Sequence, residues 1–218
     1  HADSHRICYY HPEACYGLVI EYCWCTKKKR MVKFKNTNTN TGRTFECTLT
    51  CNRCTAQTAK GSRCRRRGCI GIKTCFTHRR RDEGLMVKRS NIANAGKGLF
   101  ATKTFRKNDK IGSYRGEVIS RAQLNNRYGQ GQAANAPYAL SARNSQRLLD
   151  AGCERGLLSI ANSGRTRAQC NARYSEQMKQ DKTINVFATK RINAGDEILI
   201  WYGPGYWASA GNSRHTTK

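Results

Sequence analysis

The chain has 218 residues, enough for one core of roughly 120 residues and a smaller module. Its formal net charge of +26 is extreme for a soluble enzyme and favours nucleic acid, an acidic surface or a nucleoprotein assembly as a partner. No apolar run approaches the roughly 18 residues of a membrane span and no signal-peptide pattern opens the chain, which favours an intracellular protein. His1 in place of Met suggests a processed or truncated product.

The first part of the chain is rich in cysteine. Ten of the 12 cysteines lie within the first 75 residues, a segment too small for a core of its own. Residues 1–25 and the basic run 26–35 (TKKKRMVKFK) predict two strands, or a strand and a loop, before a flexible hairpin tip at NTNTNTG. The basic run is either a solvated face or a contact for phosphate, and the pattern favours neither.

Four residues of this region have the spacing of a zinc site. Cys54, Cys64, Cys75 and His78 form a C-x9-C-x10-C-x2-H arrangement, which can close a tetrahedral Zn²⁺ site around a small loop. Such a closed site is structural, since it leaves no open position for catalysis. The segment resembles short CTA-x-T-x2-G-x2-C zinc modules in proteins of large viruses and protists. Further candidate ligands are Cys69 and a second set formed by Cys23, Cys25, Cys47 and Cys51.

Disulfides are the alternative use of these cysteines, because ten of them could form five bridges. The missing secretory signal and the presence of His78 favour zinc. Six arginines flank the candidate site and are expected on its surface as nucleic-acid contacts: Arg65, Arg66, Arg67, Arg79, Arg80 and Arg81.

After residue 84 the composition changes to alternating apolar and polar residues, which predicts domains at 1–84 and 85–207 and a basic polar tail at 208–218. Turn signals separate the apolar segments, which favours small curved β-sheets and a mostly β fold with short helices. One helix is predicted over Ser120 to Tyr128, capped by Ser120 and ended by Gly129, and the stretch Gly129 to Pro137 should be mobile. The predicted apolar segments are Leu85 to Val87, Gly98 to Ala101, Ile111 to Tyr114, Glu117 to Ile119, Tyr138 to Leu140, Leu157 to Ala161, Ile184 to Ala188 and Glu197 to Trp201.

Four of these pieces carry candidate chemistry. NAGKGLFA (94–101) has glycines that let a ligand approach bare backbone, and GSYRGEVI (112–119) is a strand with Tyr114 before a glycine. IANSGRTRAQCNARY (160–174) holds two asparagines in an irregular polar loop. GDEILIWYG (195–203) is a buried strand that ends on Tyr202, where a loop begins.

In this order and spacing the four pieces resemble a SET domain, the protein-lysine methyltransferase fold, over about residues 86–207. The ending ILIWYG and the span Asn162 to Asn171 resemble the PR subtype and compact viral SET proteins. The resemblance implies a β-clip and pseudoknot architecture in which Asn171 braces a crossing with the Tyr202 strand. It also implies S-adenosylmethionine (SAM) as the methyl donor and a protein with a target lysine, with histones among the candidates, as the acceptor.

The resemblance further implies site residues. Backbone at Gly96, Lys97, Gly98 and Leu99, the Asn162 side chain and the backbone at Ser163 would bind SAM. Trp207, with Tyr206, would stack on the adenine, cap the substrate channel or simply anchor the C-terminus. Tyr202 would orient the lysine amine in a channel that Tyr114 also lines, and burial of the amine would lower its pKa.

The sequence also departs from the family. Ser163-Gly164-Arg165 stands where His-Ser-Cys usually follows the asparagine, and no post-SET cysteines follow Trp207. The basic charge conflicts with a basic peptide substrate unless Glu117, Asp150 and Glu154 make the groove locally acidic. A nuclear or chromatin-associated methyltransferase is therefore weighed against a SET-like structural protein with reduced catalysis, a basic component of a virion, chromatin or ribonucleoprotein assembly.

Overall fold

A computed structural model describes residues 29–35, 44–50, 52–68, 72–129, 136, 138–143 and 145–209, and the first two ranges are described by their backbone alone. Four small antiparallel sheets account for the strands. The cysteine-rich part has one hairpin, β1 (Lys29–Lys35) with β2 (Thr44–Thr50). The predicted hairpin tip and most of Gly129 to Pro137 lie outside the described residues.

Three further sheets follow in the second part of the chain. Strand β3 (Leu85–Arg89) pairs with β4 (Lys97–Ala101). Strand β10 (Ile184–Ala188) lies between β5 (Lys110–Tyr114) and β9 (Ala172–Tyr174). Strand β8 (Leu148–Asp150) lies between β6 (Glu117–Ile119) and β7 (Ala139–Ser141).

Helices are few and short among the described residues. Helix α1 (Phe76–His78) continues as a π-helical turn at Arg79–Glu83, α2 spans Arg121–Tyr128 and α3 spans Pro204–Ser209. Short 3₁₀ turns lie at Leu157–Ile160 and Arg167–Gln169. None of these helices has the length and apolar composition needed to cross a membrane. The prediction of a mostly β fold with short helices is confirmed.

The predicted helix is confirmed at both ends. The Ser120 hydroxyl accepts from the backbone N–H of Gln123, and the Gln123 side chain accepts from the Ser120 N–H, which is a capping box. Gly129 ends the helix with φ 84°, a positive value that glycine adopts without steric cost, and its N–H donates to the Asn125 carbonyl. Leu124 is buried as predicted.

Two predicted strands are absent as regular strands. Leu157 to Ile160 form a 3₁₀ turn, in which the buried Leu157 and Leu158 face the core and Ser159 bonds back to the Gly156 carbonyl. The segment 197–201 is extended but makes only isolated bridges, with Phe100, Asn162 and Ala172. Each bridge is to a different part of the chain, so the segment has no single partner strand along its length.

The main core lies between the three sheets of the second part. Its fully buried side chains include Leu85, Leu99, Ile184, Ile198 and Ile200, each at most 1% exposed. Ile72, from the cysteine-rich part, belongs to the same buried cluster. The two parts of the chain are therefore packed together through at least one shared apolar contact.

Candidate functional site

The Asn162 side chain joins two of the predicted pieces. Its Nδ2 donates to the Lys97 carbonyl at 2.8 Å and to Glu197 Oε1 at 3.2 Å. Both amide hydrogens are therefore engaged, and Oδ1 has no partner among the residues that the structure describes. A Cβ on Gly98 would lie 2.1 Å from Glu197 Oε1 and 3.3 Å from Asn162 Nδ2, so only glycine fits there. The Asn162 Oδ1 is thus an available acceptor beside the backbone of Lys97 and Gly98, where no side chain fits at Gly98.

Glu197 holds the loop before the glycines in place. Its carboxylate, 7% exposed, accepts from the Ser90 hydroxyl at 2.6 Å and from the Asn91 backbone N–H at 2.7 Å. The Ser90 N–H in turn donates to the carbonyl of Gly96, which has φ 71°. The left-handed turn at Gly96 is thus fixed from outside by one buried carboxylate.

Asn171 braces the crossing beneath this loop. Its Nδ2 donates to the Glu197 carbonyl at 2.8 Å, and its Oδ1 accepts from the Leu199 N–H at 2.9 Å. One residue later, the Ile200 N–H donates to the Asn162 carbonyl at 2.8 Å. The segment that leads to Tyr202 is therefore held by backbone bonds on one side and by the Asn171 amide on the other.

Tyr202 is fixed through both its hydroxyl and its backbone. The hydroxyl donates to the Ala161 carbonyl at 2.5 Å. The Tyr202 N–H donates to Ser163 Oγ at 3.2 Å, while the Ser163 hydroxyl donates to the Gly164 carbonyl. Ser163 is 8% exposed, so its side chain positions the tyrosine from the interior.

A narrow cavity of about 70 Å³ opens beside the Tyr202 ring. The Tyr114 hydroxyl donates to the Tyr138 carbonyl at 2.7 Å, and the Tyr114 and Tyr174 rings meet edge to face at 5.6 Å. None of the lining residues carries a charge. They are Tyr114, Ala136, Ala139, Leu140, Leu158, Ser159, Ala161, Tyr174, Tyr202 and Tyr206.

Burial keeps the tyrosine hydroxyls of the cavity protonated. Desolvation, followed by repulsion from neighbouring tyrosines, raises the pKa of Tyr114 and Tyr202 well above the usual value near 10. Burial also raises the pKa of Tyr174. At neutral pH these groups are hydrogen-bond donors and dipoles rather than bases.

The remaining predicted cofactor residues occupy different environments. Leu99 is fully buried and its carbonyl accepts from the Ile198 N–H at 2.7 Å, so its side chain belongs to the core. Trp207 lies in α3, half-buried, with its ring edge to face with Tyr206 at 5.4 Å. Tyr206 in turn meets the Tyr202 ring at 5.0 Å, which makes a row of three aromatics beside the cavity.

The four predicted zinc ligands lie together. Cys54, Cys64, Cys75 and His78 are all buried, and their ligand atoms lie within 4.8 Å of one another. His78 Nδ1 is 3.3 Å from Cys75 Sγ and 3.5 Å from Cys54 Sγ, and the Cys64 and Cys75 sulfurs are 3.9 Å apart. A tetrahedral Zn²⁺ places its sulfur and nitrogen ligands roughly 3.5–3.8 Å apart, so this donor set fits one ion.

A second hairpin, residues 53–67, surrounds and supports this cluster. Its two sides pair through isolated antiparallel bridges. The Cys75 backbone N–H donates to Cys54 Sγ at 3.2 Å, which would stabilise a thiolate. The guanidinium groups of Arg53 and Arg63 donate to carbonyls across the hairpin, including those of Cys64 and Cys54. Of the second candidate set, Cys23, Cys25 and Cys51 lie outside the described residues, as does Cys69, and only the backbone of Cys47 is described.

The six predicted nucleic-acid arginines do not share one environment. Arg65, Arg66, Arg80 and Arg81 are exposed and Arg67 is half-buried. Arg79 is only 3% exposed, because the π-helical turn directs it inward, so its prediction as a surface contact is wrong.

The candidate acidic groove is wrong for one of its three residues, Asp150. Asp150 is fully buried, where it accepts from Arg127 at 2.7 Å and from the Tyr128 hydroxyl at 3.0 Å. Glu117 accepts from the same Arg127 at 2.6 Å. Both carboxylates thus share Arg127 as an ionic partner, but the Glu117 side chain is 38% exposed and Glu154 is exposed, so an acidic role for these two stays a prediction.

Sequence reasoning missed Glu197, Tyr174 and the side chain of Ser163 as parts of this site. Glu197 was treated only as the first residue of a strand. The signal available was an acidic residue in a segment that is otherwise apolar, since a buried carboxylate requires partners.

Comparison with known proteins gives the following relatives. Residues 96–203 match the family model described as SET domain. The chain is 29% identical over 126 residues to the histone-lysine N-methyltransferase EZA1 of Arabidopsis thaliana, an alignment that covers 58% of this chain and 14% of that protein. The chain thus spans a small part of that relative's length.

Two solved structures are also similar to parts of the chain. One is Chaetomium thermophilum polycomb repressive complex 2 in an autoinhibited conformation bound to SAM, at 22% identity and a TM-score of 0.48, covering 56% of this chain and 15% of that one. Another is the methyltransferase domain of human PR domain-containing protein 2, at 22% identity and a TM-score of 0.43, covering 58% and 83%.

Proposed function

The chain contains a SET domain at residues 96–203, and from this premise we propose that it is a SAM-dependent protein-lysine N-methyltransferase with a structural zinc module. The observation that carries the proposal is the arrangement around Ala161 and Asn162. The Ala161 carbonyl accepts from the Tyr202 hydroxyl beside an uncharged cavity, and the next residue, Asn162, holds the backbone of Lys97 beside the glycine-only position Gly98. Histones in chromatin are the proposed substrates, by analogy with the activity named for the Arabidopsis relative.

The proposed donor pocket uses Asn162 and the backbone of residues 96–98. The Asn162 Oδ1 can accept from the ammonium of the methionine portion, because both hydrogens of its amide are already engaged. Next to it lie Gly96, which is exposed, and Lys97, which is half-buried and whose carbonyl accepts from Asn162. SAM, when bound, supplies an electrophilic methyl group on a sulfonium.

The proposed acceptor channel is the tyrosine-lined cavity. A lysine amine must be neutral to attack, and burial in an uncharged cavity lowers its pKa from about 10.4. This nitrogen would accept the methyl group that SAM supplies, a carbon–nitrogen bond replacing the carbon–sulfur bond, and the methylated ammonium would release its extra proton to solvent. Tyr202, protonated and fixed on the Ala161 carbonyl, orients the amine and provides no base.

The first test is calorimetric titration of the full chain with SAM. We expect saturable one-to-one binding that Asn162→Ala abolishes or weakens at least roughly 10-fold, because a charged donor loses its acceptor. Asn185→Ala is the matched control, since the Asn185 side chain lies in the sheet of β5 and β10, where its Oδ1 accepts from the Ser113 hydroxyl at 3.0 Å. Equal SAM affinity in the wild type and Asn162→Ala would overturn the donor pocket.

The same titration distinguishes the structural alternative. A folded chain that binds no SAM at millimolar concentration would mean that the SET fold serves here as architecture in a basic assembly. In that case the search would turn from substrate lysines to assembly partners.

A further inference from the structure

The zinc module carries a dense positive charge that the proposed methyl transfer does not use. Its described residues, 52–68 and 72–83, contain ten Lys and Arg against two acidic residues. Asp82 is paired with Arg81, and Glu83 accepts from the Thr74 hydroxyl. The acidic groups therefore leave most of the basic side chains without compensation.

Four exposed arginines form what we call the arginine surface: Arg65, Arg66, Arg80 and Arg81. The Arg66 guanidinium donates to the Thr77 hydroxyl, which brings it against the helix. Arg80 and Arg81 lie three and four residues after Thr77, in the π-helical turn that continues this helix, and both are exposed. Arg65 and Arg80 have no side-chain partner among the residues that the structure describes, so their donors are available.

The composition of this surface favours a phosphate backbone over a protein. Protein interfaces rely on aromatic and aliphatic anchors, and single-stranded nucleic acids on aromatic stacking. Of the module's side chains whose exposure is described, no exposed apolar one is larger than Ala59. Arginine forks match phosphate geometry and need no apolar neighbour.

We propose that the arginine surface binds the phosphate backbone of double-stranded nucleic acid, without reading the bases. The zinc cluster would then hold two elements together: the hairpin of residues 53–67, which carries Arg66, and the helical segment 76–83, which carries Arg80. Ligands of the cluster come from both elements. This binding is independent of methyl transfer, so an inactive SET domain would leave it intact.

The test is fluorescence anisotropy of a labelled mixed-sequence 20-base-pair DNA duplex, titrated with the full chain at several salt concentrations. The double variant Arg65→Ala/Arg80→Ala should weaken binding roughly 10-fold or more and reduce the slope of log affinity against log salt by about 1–2, because each lost phosphate contact contributes about 0.9. The double variant Arg65→Lys/Arg80→Lys should keep most of the slope, since it keeps the charges.

A matched control separates this surface from the overall charge. Arg106 and Arg147 are exposed arginines of the SET half, also without a side-chain partner among described residues, and Arg106→Ala/Arg147→Ala removes the same charge. Equal losses in the two double variants, with unchanged zinc content and circular dichroism, would overturn the proposal. Absence of duplex binding at 50 mM salt would also overturn it. If polyglutamate competed as strongly as unlabelled duplex, the proposal would be wrong and an acidic protein would be the partner.

Discussion

At the scale of single residues, Tyr202 is the side chain on which the proposed chemistry depends most. Its hydroxyl has one described partner, the Ala161 carbonyl, and its pKa is raised by burial. Tyr202→Phe keeps the ring and removes the oriented donor, so we expect turnover to fall roughly 100-fold with SAM affinity within about twofold. Methyl transfer to a histone mixture and SAM calorimetry measure the two effects separately.

Tyr206→Phe is the control for that prediction. Tyr206 also lines the cavity and its ring packs edge to face on that of Tyr202 at 5.0 Å, but it lies in α3 and takes no part in the bond to the Ala161 carbonyl that fixes the Tyr202 hydroxyl. If both variants lost activity equally, the tyrosine row would act by packing alone and the assigned role of Tyr202 would be wrong.

Sequence patterns predict roles for Asn162, Asn171 and Tyr202, because each stands in a motif with a definite spacing. They gave no role to the Ser163 hydroxyl, which accepts from the Tyr202 N–H. That bond joins residues 39 positions apart. Nothing in the local sequence indicates which distant backbone group a serine will meet, so such contacts appear only in the folded chain.

At the scale of elements, a buried ionic group joins α2 to the sheet of β6, β8 and β7. Asp150 of β8 is fully buried and holds Arg127 and Tyr128 of α2. Asp150→Asn keeps the shape but removes the charge opposite Arg127. We expect a loss of about 2–4 kcal/mol in the free energy of unfolding, because a buried charge loses its partner.

The exposed pair Arg143–Glu176 is the comparison for that substitution. Its side chains are 81% and 66% exposed, and Glu176→Gln should cost under about 1 kcal/mol. Urea unfolding of both variants gives the two differences. If both variants lost a similarly small free energy of unfolding, Glu117 alone would be sufficient to neutralise Arg127, and the charge of Asp150 would not contribute to stability.

Elements with local signals were predicted well and those defined by distant partners were not. Helix α2 has its own cap and glycine stop, and both were read from adjacent residues. The segment 197–201 has a strand's composition, yet it is threaded between residues 100, 162 and 172. Buried apolar residues alternate in the same way in a paired strand and in a threaded segment, so the pattern alone cannot separate them.

At the scale of the whole molecule, buried tyrosines make the fold sensitive to alkali. Burial raises the pKa of Tyr114, Tyr128, Tyr174 and Tyr202 above the unfolded value near 10. Between that value and the higher folded pKa, the unfolded chain releases protons that the folded chain keeps. These tyrosines therefore make their full contribution to the free energy of unfolding below pH 10. Above pH 10 the free energy of unfolding should fall by about 1.4 kcal/mol per pH unit for each tyrosine.

Urea midpoints at pH 9 to 11 measure this loss, with Tyr174→Phe expected to give a shallower decline than the wild type by one tyrosine's share. Ultraviolet absorbance of tyrosinate in the folded chain gives a second readout. Ionisation of all ten tyrosines near pH 10 without unfolding would contradict the burial of these four.

Metal removal tests how far the proposed zinc module supports the rest of the molecule. The four ligand atoms form a closed donor set, while Ile72, on the loop between Cys64 and Cys75, packs in the main core. Thr102 also donates to the carbonyls of Arg80 and Gly84. Loss of the metal should therefore unfold the module first and then lower the melting temperature of the SET half by a few degrees.

Cys64→Ser should reduce bound zinc by about one equivalent, because a tetrahedral site with three remaining ligands binds the ion far more weakly. Cys170→Ser is the matched control: Cys170 is also a buried free cysteine, but it lies outside the cluster and should leave the zinc content unchanged. Elemental analysis and thermal unfolding of both variants decide between two arrangements. If zinc were lost without any shift in the melting temperature of the SET half, the shared core contact at Ile72 would contribute little to stability. Equal zinc content in Cys64→Ser and the wild type would show that the assigned metal site is wrong.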